Sequence, residues 1–112
     1  MFAGFRKLNN LVAIIDKNDL GATDFTKNYL SIDPIEDKFR SFGWEAKSVN
    51  GHNIKQIYNA LKNKKLKKPL CIIANTIKGK GLPYMENSKN WHHQMPNKEQ
   101  IELTKKILNI KL

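Results

Sequence analysis

The 112-residue sequence is poor in cysteine, in long apolar runs and in acidic residues, and each shortage excludes a class of protein. A single cysteine, Cys71, excludes an intramolecular disulfide framework and a metal site made of several thiolates. No apolar run approaches the roughly 20 residues that a transmembrane helix needs. The first residues, MFAGFRKLNNLVAIID, lack the order of basic, apolar and small-residue regions that marks a secretory signal. We therefore expect a cytoplasmic protein without a membrane partner.

Acidic residues are also scarce, with 10 Asp and Glu against 20 Lys and Arg and a formal net charge of +10. Such a surplus could attract nucleic acid. However, only Arg6 and Arg40 are arginines, the residue type that suits base recognition and bidentate phosphate contacts. The densest lysine run, residues 62–68 (KNKKLKK), falls at a predicted helix end, where cations are favourable. We interpret the charge as solvated surface and do not expect a nucleic-acid partner, although a basic nucleic-acid-binding module stays an open alternative.

Residues 10–21 (NLVAIIDKNDLG) are the stretch around which the predicted fold is organised. Residues 11–15 are all apolar and three of them are β-branched, which predicts a strand buried on both faces of a parallel sheet. The polar cluster of residues 16–19 follows the carboxyl end of that strand, where open α/β sheets bind ligands. Its oxygen atoms suit a hard cation such as Mg²⁺. A plain strand followed by an Asx-rich turn is the alternative.

Two further strands are predicted from short apolar or alternating runs. Residues 44–49 (WEAKSV) alternate and indicate a strand near the edge of the sheet. Residues 70–74 (LCIIA) are continuously apolar and indicate a central strand, in which Cys71 is a small buried hydrophobe.

Helical spacing predicts an opening helical tail over residues 1–9 and three further helices. The first of these, over residues 34–42, begins with a capping box at Asp33 and Glu36. The second and third are capped by Asn53 and Asn97. The apolar positions that mark the helix faces are Phe2, Phe5, Leu8, Ile35, Phe39, Phe42, Ile54, Ile57, Tyr58 and Leu61.

The order strand–helix–strand–helix–strand–loop–helix predicts an α/β fold, a three-layer parallel sheet with flanking helices. In such a sheet the carboxyl ends of the strands share one edge, so residues 16–21, 50–53 and 76–93 should converge there. Their oxygens, glycines, lysines and histidines suit a phosphorylated ligand that is held partly through a metal.

Residues 77–95 form an unusually long predicted loop, and loops of this length in compact domains are usually functional or disordered. The run Lys78-Gly79-Lys80-Gly81 could bring backbone amides close to a phosphate, and a flexible basic turn is the alternative. His92 and His93 could act as acid/base groups. Because adjacent side chains of an extended chain point to different sides, we expect at most one of these histidines to face a given site.

Four blocks of the sequence, in order and spacing, resemble the thiamine-diphosphate-binding half of transketolase, and more closely its separately encoded N-terminal subunit. The resemblance implies a partial thiamine-diphosphate-binding fold, with residues 1–112 as the C-terminal part of that domain. The blocks are residues 10–19 (NLVAIIDKND), 37–53 (DKFRSFGWEAKSVNGHN), 68–81 (KPLCIIANTIKGKG) and 85–97 (MENSKNWHHQMPN).

The resemblance also implies site residues. Mg²⁺ would be bound by the Asn18 side chain and the Leu20 backbone carbonyl, and it would bridge the cofactor's diphosphate. Thiamine diphosphate would lie close to Asn18, Leu20, Lys78, Gly79 and His92. His92, as the catalytic residue, would contact substrate hydroxyls near the thiazolium. The implied reaction transfers a two-carbon ketol unit from a ketose phosphate to an aldose phosphate, with the chemistry belonging to the cofactor.

The sequence departs from the family in several respects, and one of them concerns a metal ligand. The family's Gly-Asp-Gly, whose aspartate is a metal ligand, is absent, and by family spacing it would lie upstream of Met1. We therefore expect a fragment that is inactive alone. Its implied partner is a C-terminal, pyrimidine-binding transketolase subunit or domain, in a homo- or hetero-oligomer. Related thiamine enzymes, deoxyxylulose-phosphate synthase or a 2-oxoacid dehydrogenase component, are alternatives, as is a remnant without function.

Overall fold

The computed structural model describes residues 1–62 and 65–110. Asn63 and Lys64, which belong to the lysine run of residues 62–68, lie outside the described residues. The chain divides into two compact units. The first unit comprises Met1–Asn18 and Ser31–Thr76, and the second comprises Asp19–Leu30 together with the described part of Ile77–Leu112. No helix within the described ranges is long and apolar enough to cross a membrane.

The first unit contains a three-stranded parallel sheet in the order β1-β3-β2. The register is level at both ends, because Lys17 and Asn50 both lie opposite Asn75, the last residue of the central strand. The predicted α/β fold is therefore confirmed, including the central and edge positions of the second and third strands along the chain. The strands are β1 (Val12–Lys17), β2 (Glu45–Asn50) and β3 (Leu70–Asn75).

Helices cover the sheet from both sides. Helix α2 (Ile35–Ser41) packs Ile35 and Phe39 against one face, with Ala46, Cys71 and Ile73. Helix α3 (Ile54–Leu61) packs Ala60 against the other face, with Leu70 and Ile72. The predicted burial of Cys71 is confirmed, and burial raises the pKa of its thiol. These two layers and the sheet make the three layers that the element order predicts.

The prediction that the first strand is buried on both faces is wrong. β1 lies at the edge of the described sheet, and its burial alternates along the strand. Ala13 and Ile15 are half-buried, whereas Val12 is 39% exposed and Ile14 is 57% exposed. The cluster beneath α3 contains residues of β2 and β3 but none of β1. Helix α3 therefore does not cover the second face of β1.

The face of α3 that helical spacing marks is also largely exposed. Ile54 is 82% exposed, and Tyr58 and Leu61 are exposed as well. Ala60 is the buried residue of this helix because its small side chain meets Leu70 and Ile72 on the sheet. Spacing therefore identified the helix correctly but not the side that packs.

The predicted capping box of α2 does not form. The helix begins at Ile35 after Pro34, with no side-chain cap. The Asp33 carboxylate instead pairs with Lys17, at 3.3 Å, and Glu36 pairs with Arg40, at 2.7 Å. The opening helix, α1 (Phe2–Phe5), is shorter than predicted, and its apolar Phe2 and Phe5 are exposed. Gly4 is its buried residue, since a Cβ there would lie 1.8 Å from the Phe42 carbonyl oxygen.

In its described part, the second unit consists of turns, two 3-10 helices and one α-helix. The 3-10 helices are Thr26–Asn28 and Lys89–His92, and α4 is Lys98–Ile107. The Asn97 side chain accepts from the Gln100 amide at 2.9 Å, and the Gln100 side chain accepts from the Asn97 amide at 2.8 Å. This capping box confirms the predicted start of α4.

Candidate functional site

The carboxyl ends of the three strands meet at one edge of the first unit, as predicted. The Thr76 amide donates to the Lys17 carbonyl at 3.0 Å, and the Gly51 amide donates to the Asn75 carbonyl at 2.8 Å. The Thr76 hydroxyl donates to the Asp16 carboxylate. Asn18 follows directly after β1, so it lies at this edge.

The loop after β2 uses its polar side chains for its own structure. The Asn50 side chain accepts from the His52 amide at 2.9 Å, and the Asn53 side chain accepts from the Gln56 amide at 3.0 Å. Gly51 is required by close packing, because a Cβ there would lie 2.4 Å from Cγ2 of Thr76. These asparagine oxygens therefore serve a turn and a helix cap.

A cleft of about 310 Å³ opens at the same edge, and the sequence reasoning missed it. Lys17, Ser48 and Asn75 from the three strands line it on one side, and residues 33–37 line it on the other. The Asn75 amide group donates to Val49 O at 3.2 Å and to Ser48 Oγ at 3.3 Å, which fixes its orientation. Asp33 joins Lys17 from a distant part of the chain, so spacing alone carried no signal for this pair.

Leu20 lies in the second unit, in a short antiparallel bridge with Phe25. The hydrogen bonds of this bridge come from the neighbours of Leu20: the Thr26 amide donates to Asp19 O at 2.9 Å, and the Gly21 amide donates to Asp24 O at 2.8 Å. In such a pair the backbone of Leu20 itself faces away from Phe25. The bridge therefore fixes the direction of the Leu20 carbonyl.

The turn that carries Lys78 and Gly79 is well defined. The carbonyls of Lys78 and Gly79 accept from the amides of Asn87 and Leu82, at 3.0 and 3.1 Å. Gly79 has φ +76°, and a Cβ there would lie 2.6 Å from the Met85 carbonyl oxygen. This position therefore needs glycine for two reasons.

The two lysines of this turn differ. The Lys80 ammonium lies 3.4 Å from the Glu86 carboxylate, which also accepts from the Gly81 amide at 3.1 Å. Within the described ranges, no residue pairs with the Lys78 ammonium, and none accepts from the Lys78 or Gly79 amide. Lys78 and the two amides are therefore the groups of this turn that have no partner among the described residues.

Trp91 anchors the segment that carries His92. Its indole Nε1 donates to Tyr84 O at 2.8 Å, and the two rings pack edge to face at 5.3 Å. The chain is not extended at the two adjacent histidines, so that premise is wrong, and the expectation that at most one of them faces a given site stays a prediction. The His92 and His93 rings pack edge to face with centroids 4.5 Å apart, at the point where the 3-10 helix ends.

Asp24 is a further organising residue that the sequence reasoning missed. Its carboxylate accepts from the Phe25 amide at 2.8 Å and from the Asn28 side chain at 3.1 Å. Lys89 lies 3.4 Å away. The hydrogen bond from Asn28 is the largest cause that lowers the pKa of Asp24 below its usual value, and the hydrogen bond from Phe25 is the second. Asp24 therefore joins the two segments of the second unit.

Four of the five expected site residues lie in the second unit and Asn18 lies in the first. The four are Leu20, Lys78, Gly79 and His92. The described residues contain no group of three His, Cys, Asp or Glu that could hold a metal ion. The expected metal ligands are an amide oxygen and a backbone carbonyl oxygen, which are chemically suited to Mg²⁺ when phosphate and water supply the other positions.

The chain is similar to proteins of a known family. Residues 1–111 match the family described as transketolase, thiamine diphosphate binding domain. One of the subunits of the apulose-4-phosphate transketolase of Actinobacillus succinogenes is 39% identical over 98 residues, 87% of this chain and 36% of that protein. Transketolase of Rattus norvegicus is 38% identical over 101 residues, 90% of this chain and 16% of that protein.

A solved structure is also similar to the whole described fold. Transketolase from Campylobacter jejuni superposes with a TM-score of 0.87 at 32% identity, over 97% of this chain and 17% of that one. The chain therefore spans about a third of the apulose-4-phosphate relative and about a sixth of the other two transketolases.

Proposed function

The chain belongs to the transketolase family through its thiamine diphosphate-binding domain, and from this premise we propose that it is part of a Mg²⁺-dependent transketolase. The proposed reaction transfers a two-carbon ketol unit between sugar phosphates. The match of residues 1–111 to the cofactor-binding domain is the observation that carries this proposal. Because the chain spans 16–36% of the relatives' lengths, we expect it to be inactive alone.

We propose a partner that carries the pyrimidine-binding part of the cofactor site, as a C-terminal transketolase subunit or domain in a homo- or hetero-oligomer. The apulose-4-phosphate relative is named as one subunit of its transketolase, which supports an enzyme that is divided between chains. The proposal also places the protein in the cytoplasm, with sugar phosphates as its substrates.

The proposed metal ligands are the Asn18 side-chain oxygen and the Leu20 carbonyl oxygen. Both are hard, uncharged oxygen donors, so most of the charge of Mg²⁺ would be balanced by the diphosphate of the cofactor. The bridge between Leu20 and Phe25 supports this role for Leu20 because it holds the backbone carbonyl in one direction.

Lys78 and Gly79 are proposed to bind the diphosphate. The Lys78 ammonium supplies positive charge, and the amides of this turn supply hydrogen-bond donors, a combination suited to phosphate oxygens. Lys80 is not proposed for this role because its ammonium lies 3.4 Å from the Glu86 carboxylate.

His92 is proposed to bind and orient the substrate hydroxyls. Thiamine diphosphate, when bound, supplies the nucleophilic carbon of its thiazolium ring, and this chain holds and orients the reactants. The hydrogen bond between Trp91 and Tyr84 supports this role because it restrains the short helix that ends at His92.

The proposed reaction is tested with the complete enzyme, together with its partner, thiamine diphosphate and Mg²⁺. A panel of ketose phosphate donors and aldose phosphate acceptors is compared with pyruvate as the donor. Ketol transfer between sugar phosphates is the expected result. Preference for pyruvate would assign the protein to a related thiamine enzyme instead, and turnover by the 112-residue chain alone would contradict the proposed need for a partner.

The proposed metal ligand is tested by calorimetry of thiamine diphosphate binding with and without Mg²⁺. The substitution Asn18→Ala is expected to weaken Mg²⁺-dependent binding about tenfold or more, equivalent to about 1.4 kcal/mol. Asn59→Ala is the matched control, since Asn59 is an exposed residue of α3. Equal affinities of the two variants would remove Asn18 from the metal site.

A further inference from the structure

A second cleft, of about 570 Å³, lies in the first unit at the end of the sheet opposite to Asn18. Glu45 and Ala46 at the start of β2, and Lys68 just before β3, form part of its wall. The volume lies within the roughly 300–1,000 Å³ typical of small-molecule sites. The lining residues are Arg40, Trp44, Glu45, Ala46, Lys65, Lys67 and Lys68.

The lysines of this cleft are attached to ordered backbone. Leu66 lies between Lys65 and Lys67 and packs against the cluster beneath α3. Pro69, directly after Lys68, is fully buried, and its carbonyl accepts from the Glu45 amide at 2.8 Å. The lysines are exposed, but the main chain of Lys67 and Lys68 lies between Leu66 and Pro69, which both pack in the first unit.

The positive charge of the cleft is not neutralised from within. Glu45 lies 3.4 Å from Lys47, so its carboxylate is already paired. In the part of the chain that the structure describes, no carboxylate pairs with Lys65, Lys67 or Lys68. Three neighbouring ammonium groups without counter-charges make the cleft attractive to an anion with several negative charges.

Two other lining residues, Arg40 and Trp44, have defined contacts. Arg40 pairs with Glu36 and Asp37, at 2.7 and 3.1 Å, and donates to the Ala46 carbonyl at 3.1 Å. The Trp44 ring packs edge to face on Phe39 at 5.3 Å. The concave shape and these contacts distinguish the cleft from lysines scattered on a convex surface.

We propose that this cleft binds the polyphosphate group of a small molecule. Lys65, Lys67 and Lys68 hold the phosphate oxygens by charge-assisted hydrogen bonds, and Trp44 forms the apolar wall. Under this proposal, part of the lysine run that we interpreted from the sequence as solvated surface binds a ligand. Inorganic triphosphate and ATP share this chemistry, and their relative affinities show whether an organic group also contacts the cleft.

Nuclear magnetic resonance of the full ¹⁵N-labelled chain, titrated with inorganic triphosphate in EDTA, tests the proposal. Trp44 and Trp91 are the two tryptophans, so each spectrum contains a reporter in the cleft and an internal reference. The expected result is a saturable shift of the Trp44 indole signal and none of the Trp91 signal. A saturable shift of the Trp91 signal without one of the Trp44 signal would overturn the proposal. So would the absence of any saturable shift.

Calorimetry of three variants separates the cleft from other sources of binding. Lys65→Gln/Lys67→Gln/Lys68→Gln is expected to weaken triphosphate binding at least tenfold. The control, Lys55→Gln/Lys98→Gln/Lys106→Gln, removes the same charge elsewhere and should change the affinity less than twofold. Asn18→Ala should also leave the affinity for triphosphate unchanged.

Three results would contradict the cleft as the binding site. Equal weakening by both triple variants would mean that net charge alone binds triphosphate. Weakening by Asn18→Ala alone would assign binding to the proposed cofactor site. Tighter binding of duplex RNA or DNA than of triphosphate, with both triple variants weakened, would identify a nucleic-acid surface instead.

Discussion

The two units of this chain are held together by different interactions. Among the described residues, all those that are buried belong to the first unit. Leu70, Cys71 and Ile72 of β3 are at most 1% exposed there. The second unit has no such core residue in its described part. Its order comes from the carboxylate of Asp24, the Trp91–Tyr84 pair and the capping box at Asn97.

This difference bears on the proposed ligand-binding residues. The parallel sheet is stabilised by burial, which is non-directional and tolerates polar changes at the surface. Most of the proposed ligand-binding residues lie in the unit that depends on individual hydrogen bonds. We expect such a unit to open locally at lower free energy than the core, and a bound ligand to stabilise it.

The largest effect is expected from the core of the first unit. Ile72→Ala should lower the free energy of unfolding by roughly 2–5 kcal/mol, because Ile72 is 0% exposed and its loss leaves a cavity. Ile14→Ala is the matched control, since Ile14 is its direct partner in the ladder but 57% exposed. Urea denaturation measures both. Equal losses would mean that a partner surface covers β1.

A large effect on function without one on stability is expected in the second unit. His92→Ala should lower kcat/KM of the complete enzyme roughly 100-fold, because His92 is proposed to orient the substrate. His93→Ala is the control, with its ring 4.5 Å away, and should change kcat/KM less than threefold. Steady-state kinetics with thermal denaturation measures both properties. Reversed effects would assign the role to His93.

A smaller effect is expected in the turn that carries Lys78. Gly79→Ala should destabilise this turn by about 1–2 kcal/mol from backbone strain, with a further loss from the clash with Met85. Gly81→Ala has similar strain, at φ +100°, but meets no atom within 4 Å. Amide hydrogen exchange of residues 77–88 compares the variants, and equal loss of protection would exclude the Met85 contact as the cause.

The smallest expected effect is the pH dependence of the segment around Asp24. Because its pKa is lowered in the folded chain, the folded state binds fewer protons than the unfolded state near pH 4. The Asp24 carboxylate therefore contributes its full stabilisation above its pKa in the unfolded chain. This stabilisation is lost as the pH falls through its pKa in the folded chain. Amide exchange of Phe25 between pH 5 and pH 2 measures this loss, which Asp24→Asn should abolish.

Glu102 provides a control for that titration. Its pKa is also lowered, by the hydrogen bond from Lys105 within α4. Replacing Glu102 by Gln should leave the pH dependence of the Phe25 amide unchanged. If Glu102→Gln removed that dependence, Asp24 would not be the group that stabilises the segment.

Features that depend on a few neighbouring residues were predictable. The run LCIIA identified the central strand because continuous apolar character matches burial on both faces. Asn53 and Asn97 identified two helix starts because each cap involves an amide three residues away. The family resemblance was equally accessible, since four blocks of residues carry it, and the match over residues 1–111 confirms it.

Features that depend on distant residues were not predictable in the same way. An apolar run resembling the central strand became the edge strand β1, because α3 packs over β2 and β3 instead. Asp33 had the local pattern of a helix cap, yet it pairs with Lys17. The two clefts, of about 310 and 570 Å³, could not be predicted either, because their walls combine segments far apart in the chain.

The sequence by itself determined the kinds of element, most of their starts, the parallel order and the family, because these depend on local chemistry and on short motifs. The tertiary structure alone decided which apolar faces are covered and which charged groups are paired. Ile14 and Ile72 show the reason: they are identical residues in similar runs and direct partners in one ladder. Their burial differs because it depends on what packs above each strand, which no local pattern records.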